Sequence, residues 1–319
     1  MAISTKTLKQ RIGSIKNTQK ITKAMELVAA AKMRKAVNNI TLSRTYSELA
    51  WSLVQRLKAK SDPSLHILLH EKEEIKKVLL ILYTSNRGLC GGYNTQIMNK
   101  TLQSLKLHAD VDTDFIIIGK KGRDMAKRFG QHVIAAFDKE DVINQVNEVF
   151  PISKIILDEY MKGNYDKVLV AFNDFESSLK QTPRVRQILP ITEKDEYIGE
   201  LSSTPLTATF TNSNLSQEKN NLLVQGQEQK TNMVFEYLFE PSPSAVLQSL
   251  LPRLIEVQIY QAYLEANASE HSARMLAMRN ASDSAKDMID DLTLTFNQAR
   301  QSSITQEIAE ISAGKAVLD

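Results

Sequence analysis

Cysteine is all but missing from this chain. Cys90 is the single thiol among 319 residues, so no disulfide can form within the chain. One thiol fits a reducing compartment. Long apolar runs are missing too: the longest, Val78 to Tyr83, falls far short of the 18 or so residues of a membrane-spanning helix. An excess of one charge is absent, because a net charge of +3 does not by itself mark a nucleic-acid binder. The N-terminus lacks the apolar core of a secretory signal. It is basic and amphipathic, superficially like a mitochondrial transit segment, but its pattern runs on into a helix of structural length and reads as mature protein. These shortages describe a soluble intracellular chain, peripheral to any membrane it meets.

The shortage of glycine and proline says more. Neither occurs between Gly13 and Pro63, nor between Pro252 and Gly314. A helix without a breaker over such a span is several times the usual length of about 11 residues. Each would be a rod of roughly 70 to 90 Å. No compact domain of this size buries such a rod along its whole length, so the two must cover each other or a partner. The apolar pattern supports pairing. Met278, Ala281, Ala285, Met288, Leu292, Phe296, Ala299, Ile304, Ile308 and Ile311 recur at steps of mostly three and four, the stripe of a coiled-coil seam. Leu8, Ile12, Ile15, then Ile21, Met25, Val28, then Tyr46, Leu49, Leu53 and Leu57 do the same, with breaks at Thr18 and at Lys32 to Met33. An ordinary helical bundle is the alternative that pattern alone leaves open.

Charge is distributed unevenly. Lys6, Lys9, Arg11, Lys16, Lys20, Lys23, Lys32, Arg34, Lys35 and Arg44 crowd the first 44 residues against Glu26 alone, and Asp283, Asp287, Asp290 and Asp291 form a block on the C-terminal helix. The two helices can favour each other, the basic face can meet an acidic partner, or both faces are simply solvated.

Between the rods the period changes. Val78–Tyr83, Phe115–Ile118, Val133–Phe137, Lys167–Phe172 and Val185–Leu189 read as short strands. Helices are expected near 95–107, 121–129 and 144–162. Such alternation predicts a small parallel, Rossmann-like α/β sheet. The expected organisation is a coiled-coil helix over 1–60, a central α/β domain over 75–240 and a second coiled-coil helix over 243–319. Residues 193–232 are a polar loop excursion with a possible short helix near 215–223. Pro252 should kink or restart the last helix.

Catalytic chemistry is hard to find. The loop Gly88-Leu-Cys-Gly-Gly-Tyr-Asn94 has neither a phosphate-binding lysine motif nor dinucleotide spacing. Cys90 has no evident base, so the glycines are expected to serve a tight turn. Gly119-Lys-Lys-Gly122 has the spelling of a nucleic-acid clamp, but it sits between strand and helix and reads as a surface turn. The five histidines have no metal spacing. No cofactor, metal or catalytic residue is expected. A tethering or chaperone protein with paired rods, and a nucleic-acid binder using the basic helix, are the competing classes.

Three separated motifs carry a resemblance. They are Gln19-Lys-Ile-Thr-Lys-Ala-Met-Glu-Leu-Val-Ala-Ala-Ala-Lys-Met-Arg34, Thr84-Ser-Asn-Arg-Gly-Leu-Cys-Gly-Gly-Tyr-Asn94, and Ala299-Arg-Gln-Ser-Ser-Ile-Thr-Gln-Glu-Ile-Ala-Glu-Ile311, preceded by Ala268 to Met278. With them the chain closely resembles, from end to end, the γ subunit of bacterial F-type ATP synthases. The resemblance implies an antiparallel coiled coil inserted as a rotor shaft into a ring of three α and three β subunits, with the α/β domain at its foot beside the ε subunit and the c-ring. It implies a non-catalytic subunit that couples proton-driven rotation to ATP synthesis at the β sites, with no nucleic-acid partner. Contacts to the α/β ring map onto Met25, Arg300, Gln301, Thr305 and Glu307, and contacts at the foot onto Tyr237, Phe239 and Glu240. The implied location is the cytoplasmic face of a bacterial inner membrane, reached through the complex. The chloroplast type's cysteine pair has no counterpart, so thiol control is not expected.

Overall fold

The computed structural model describes residues 5–60, 67–70, 72, 74–106, 111–143, 145–191 and 243–318, with side chains of 44–60, 243–244 and 313–318 left aside. The polar stretch 193–232, its expected short helix, and Tyr237, Phe239 and Glu240 lie outside the described residues. So do the side chains of Tyr46, Leu49, Leu53 and Leu57.

Helix α1 spans Thr5–Lys60. The sheet domain follows, with β1 (Lys77–Tyr83), α2 (Tyr93–Lys106), β2 (Asp112–Ile118), α3 (Lys120–Arg128), β3 (His132–Phe137), a 3-10 turn (Val146–Val149), α4 (Phe150–Met161), β4 (Lys167–Phe175) and β5 (Gln181–Leu189). Helix α5 then runs from Pro243 to Leu318. At 1.5 Å per residue, α1 is about 84 Å long and α5 about 114 Å.

The strand order is β3-β2-β1-β4-β5. The first four strands are parallel, as the alternation of strand and helix requires. β5 corrects the expectation of a wholly parallel sheet: it pairs antiparallel with β4. The physical reason is the connection. Five residues separate β4 from β5, enough for a hairpin and too few for a crossover helix.

Each strand serves two cores, because its side chains alternate. Leu80, Leu82, Phe115 and Ile117 pack under α2 and α3, with Ile97, Met98 and Ala126. Leu79, Ile81, Tyr83, Ile116 and Ile118 face the other way, onto α4 and the two long helices. Met33, Ala36 and Ile40 of α1 join this second core with Leu251, Ile255 and Ile259 of α5. The shaft therefore grows out of the domain's own core.

The two long helices are antiparallel. Asp141 takes Lys32 of α1 on its carboxylate and His271 of α5 on its carbonyl, so those levels coincide. Beyond Lys32 in α1, Ile40 packs in the core with α5 residues that precede His271. Following the seam the other way, Leu8 lies about 36 Å further along α1, opposite α5 near residue 295, and it is 2% exposed.

The seam differs from the one expected. Leu8, Ile12 and Ile15 lead on to Gln19, Thr22, Met25, Ala29, Met33, Ala36 and Ile40, all buried or half-buried. Ile21 and Val28 are 61% and 57% exposed, so they stand off it. Steps of three and four hold the phase, and following apolar identity to Ile21 loses it. Met33, expected at a break, is buried in the seam. On α5 the partly buried Ile289 holds the position expected for Met288, which is exposed. Thr22 fits because its hydroxyl donates to the Gln19 carbonyl, 3.0 Å away. Ala29, Ala36, Ser282 and Ala285 keep the contact close.

α5 continues through Pro252 without a restart. The lost N–H lies within the first three turns, and buried Leu247, Leu251, Leu254 and Ile255 hold the helix on both sides of it.

Candidate functional site

Three regions of α5 differ in their surroundings. Between Leu254 and Ser272 every side chain is buried. From Met278 to Ala299 only a stripe is covered. From Arg300 to Ser312 every residue is exposed. Among the described residues α1 stops short of this last region, and α5 runs on there without a partner helix. Ile304, Ile308 and Ile311 line one side of it, 48%, 60% and 73% exposed. A helix carrying an uncovered isoleucine stripe is built to be covered by something else.

Arg300, Gln301, Thr305 and Glu307 lie together on this bare tip. The Thr305 hydroxyl donates to the Gln301 carbonyl at 2.9 Å, and the Ser303 hydroxyl donates to Glu307 Oε1 at 3.4 Å. Thr305 thus spends its hydroxyl on its own helix, while the side chains of Arg300, Gln301 and Glu307 are exposed. Met25 is not with them. It is half-buried in the paired part of the shaft, at the level of α5 near residue 278, roughly 35 Å down the axis. The sequence-derived contact set thus divides into two levels.

Direct charge pairing between the helices, one of the three readings left open by the sequence, does not form among the described residues. Asp283, Asp287, Asp290 and Asp291 are exposed. No ion pair joins them to α1 among the described residues, where Lys23 pairs with Glu26 and Lys32 with Asp141. The seam keeps both sets of charges pointing outward, so they act as a surface field.

The loop after β1 is closed by its own polar groups. Asn94 Oδ1 accepts from the Ser85 N–H at 2.9 Å, and Asn94 Nδ2 donates to Ser85 Oγ at 2.7 Å. Asn86 Oδ1 accepts from the N–H groups of Lys120 and Lys139, at 3.2 and 3.1 Å. Of the loop glycines only Gly91 has a positive φ, +56°, and Leu89 joins it at +64°. The Gly119–Gly122 turn exposes Lys120 and Lys121 but buries both glycines. Gly122 is buried, and a Cβ there would come within 2.6 Å of Thr84 Oγ1. Its N–H donates to that hydroxyl at 2.9 Å. These groups knit β1, β2 and α3 together.

Sequence reasoning missed the junction between domain and shaft. Lys139 is buried, with Nζ 2.8 Å from Glu270 Oε2, 3.2 Å from the Ala266 carbonyl and 3.5 Å from the Tyr93 hydroxyl. Glu270 Oε1 accepts from Arg274 at 2.7 Å. Burial works to raise the Glu270 carboxyl, but Lys139 and Arg274 outweigh it and hold it below the ordinary range. Burial lowers the Lys139 ammonium, more than Glu270 restores. Burial also lowers His271. Its Nε2–H donates to the Asp141 carbonyl at 2.9 Å, which leaves Nδ1 to face Arg274 at 3.3 Å. The available signal was a polar run, Glu265 to Ser272, inside a helix otherwise rich in Leu and Ile.

Comparison with known proteins agrees with this architecture. The family model described as ATP synthase matches residues 4–318. The ATP synthase gamma chain of Coxiella burnetii strain CbuG_Q212 is 38% identical over 316 residues, covering 98% of both chains. That of Heliobacterium modesticaldum is 39% identical over 313 residues, again covering 98% of each. A chain of the Euglena gracilis mitochondrial ATP synthase OSCP/F1/c-ring structure shares the fold, with a TM-score of 0.62 at 19% identity, covering 98% of this chain and 94% of its own. Two antiparallel rods rooted in an α/β core, matched over nearly the whole chain, place this protein in the family of ATP synthase gamma chains.

Proposed function

We propose that this gamma chain is the non-catalytic rotor shaft of a proton-driven ATP synthase, biasing distant nucleotide sites by its shape. The observation that carries this reading is the bare end of α5. About 27 Å of single helix stands beyond its partner, with Ile304, Ile308 and Ile311 uncovered. A ring of three α and three β subunits would cover the tip through Arg300, Gln301, Thr305 and Glu307. The lower level, with Met25, would meet the same ring nearer its base. The foot, with Tyr237, Phe239 and Glu240, would sit on the c-ring beside the ε subunit.

Polar atoms of the loop after β1 are spent on one another, which supports a structural loop and no nucleotide cradle. Among the described residues no helix is long and apolar enough to cross a membrane. Attachment at the cytoplasmic face of a bacterial inner membrane would therefore run through the complex. The coupling is thermodynamic: the shaft changes which β site holds nucleotide tightly, and each nucleotide state in turn biases the shaft angle.

Subunit counting tests this. Affinity capture of the tagged chain from its native membranes is expected to yield one copy per three α and three β subunits in an ATP-hydrolysing complex. Equilibrium dialysis of the isolated chain is expected to show no ATP binding at micromolar concentration. Capture without such a ring, or tight ATP binding by the isolated chain, would overturn the reading.

A further inference from the structure

The segment between β3 and the 3-10 turn lies across both long helices. Within residues 139–143 nearly every residue holds one of them by a directional contact. The Glu140 N–H donates to the Tyr263 hydroxyl at 2.5 Å, and the Glu140 carbonyl accepts from Asn267 at 3.2 Å. The Asp141 carbonyl accepts from His271, and its carboxylate pairs with Lys32 of α1 at 2.5 Å. The Ile143 carbonyl accepts from Asn39 of α1 at 2.8 Å. Lys139 stands at the centre, its side chain 2% exposed against a Glu270 side chain that is 6% exposed.

Such a cluster is not needed for burial. Apolar contact between helix and sheet already covers this surface, and a buried ion pair adds little net stability over a well-packed apolar pair. What it adds is direction. Apolar packing resists separation but is non-directional, so one surface can slide over another. A charge-assisted hydrogen bond with fixed length and angle resists sliding. In a shaft that turns against resistance, the load between the rods and the sheet domain is a sliding load.

We propose that Lys139 is a positioning residue that locks the rotational register of the shaft against the α/β domain, so that torque passes between them without slip. This rests on the rotor-shaft reading above. Its ammonium ties Glu270 and the Ala266 carbonyl of α5 to Tyr93 and the β3 connection, so any twist of α5 must stretch several bonds at once.

The test uses the whole complex in inverted membrane vesicles. Lys139→Met keeps length and removes the charge, Lys139→Arg keeps charge and donors, and Glu270→Gln keeps shape while neutralising the partner. The readout is proton pumping per ATP hydrolysed, with and without an opposing proton gradient. A coupled wild-type complex upholds the shaft reading by itself. For Lys139→Met the ratio is expected to fall by about threefold or more against the gradient, with hydrolysis kept and Lys139→Arg close to wild type. Glu270→Gln is expected to lose coupling in the same direction, and it carries the test if Lys139→Met does not assemble. A wild-type ratio under load in whichever of Lys139→Met and Glu270→Gln assembles, even with lowered thermal stability, would show that the cluster only holds the fold and would overturn the proposal.

Discussion

Asp166 shows how much one side chain can secure at the start of a sheet. Its Oδ2 accepts from the N–H groups of Lys76 and Lys77, both at 2.9 Å, and its Oδ1 pairs with Lys72 at 2.6 Å. Burial works to raise this carboxyl, but Lys72 and the two backbone donors prevail and bring it down to about 2. The folded state therefore holds this proton less tightly than the unfolded chain. The resulting stability, about 2 kcal/mol, is fully present above roughly pH 4 and is lost as the pH falls from there towards 2. Denaturant unfolding of Asp166→Asn is expected to show that deficit at pH 7 and almost none at pH 2. A deficit of the same size at both values would mean that the carboxylate charge contributes nothing.

Among the elements, the helices and parallel strands were legible in the sequence because each has a strong period or a clear breaker. The breaker-free spans between Gly13 and Pro63 and between Pro252 and Gly314 mark the long rods, although Gly13, Pro252 and Gly314 themselves lie inside the helices, and Val78–Tyr83 reads as a doubly covered strand. Less legible was the phase of the seam. Gln19 and Thr22 carry the seam that was expected to resume at Ile21, because a seam between paired helices tolerates a threonine that bonds its own backbone. The direction of β5 is a property of its short connection and not of its composition. The Lys139 cluster was invisible for a different reason. Lys139 lies more than a hundred residues from Glu270 and Ala266, its partners on α5, and no local spacing signals their meeting. The tip residues were named by resemblance alone, and composition could not have separated them from Met25.

The exposed end of α5 also belongs to this scale. Gln301 and Thr305 share a helix face, one turn apart. Thr305 already spends its hydroxyl on its own helix, so Gln301 is expected to be the stronger contributor. Replacing both by alanine should leave the circular dichroism and melting of the isolated chain unchanged, since neither is buried. In the reconstituted complex the same change is expected to lower steady-state ATP hydrolysis and speed loss of the shaft. A hydrogen bond to a charged group is worth roughly 1.5 to 3 kcal/mol, so shaft loss is expected to speed up by about tenfold or more. Wild-type turnover and retention would place these side chains in bulk water.

At the scale of the whole molecule, the chain is anchored at one end and bare at the other. The sheet domain surrounds α5 where it is most polar inside, α1 covers one stripe of it further on, and among the described residues nothing covers it from Arg300 to Ser312. Isolated helices shorter than about 12 to 15 residues are marginal in water, and the uncovered run from Arg300 to Ser312 falls in that range. Its backbone amides are therefore expected to exchange with deuterium within seconds in the free chain, while those of Leu254 to Ser272 persist far longer. Once the complex has formed, the same terminal amides should slow by orders of magnitude. Assembly would then finish the folding of this helix. Part of the binding energy would go into ordering it, and a free subunit would be open to proteolytic trimming at this end until its partners arrive.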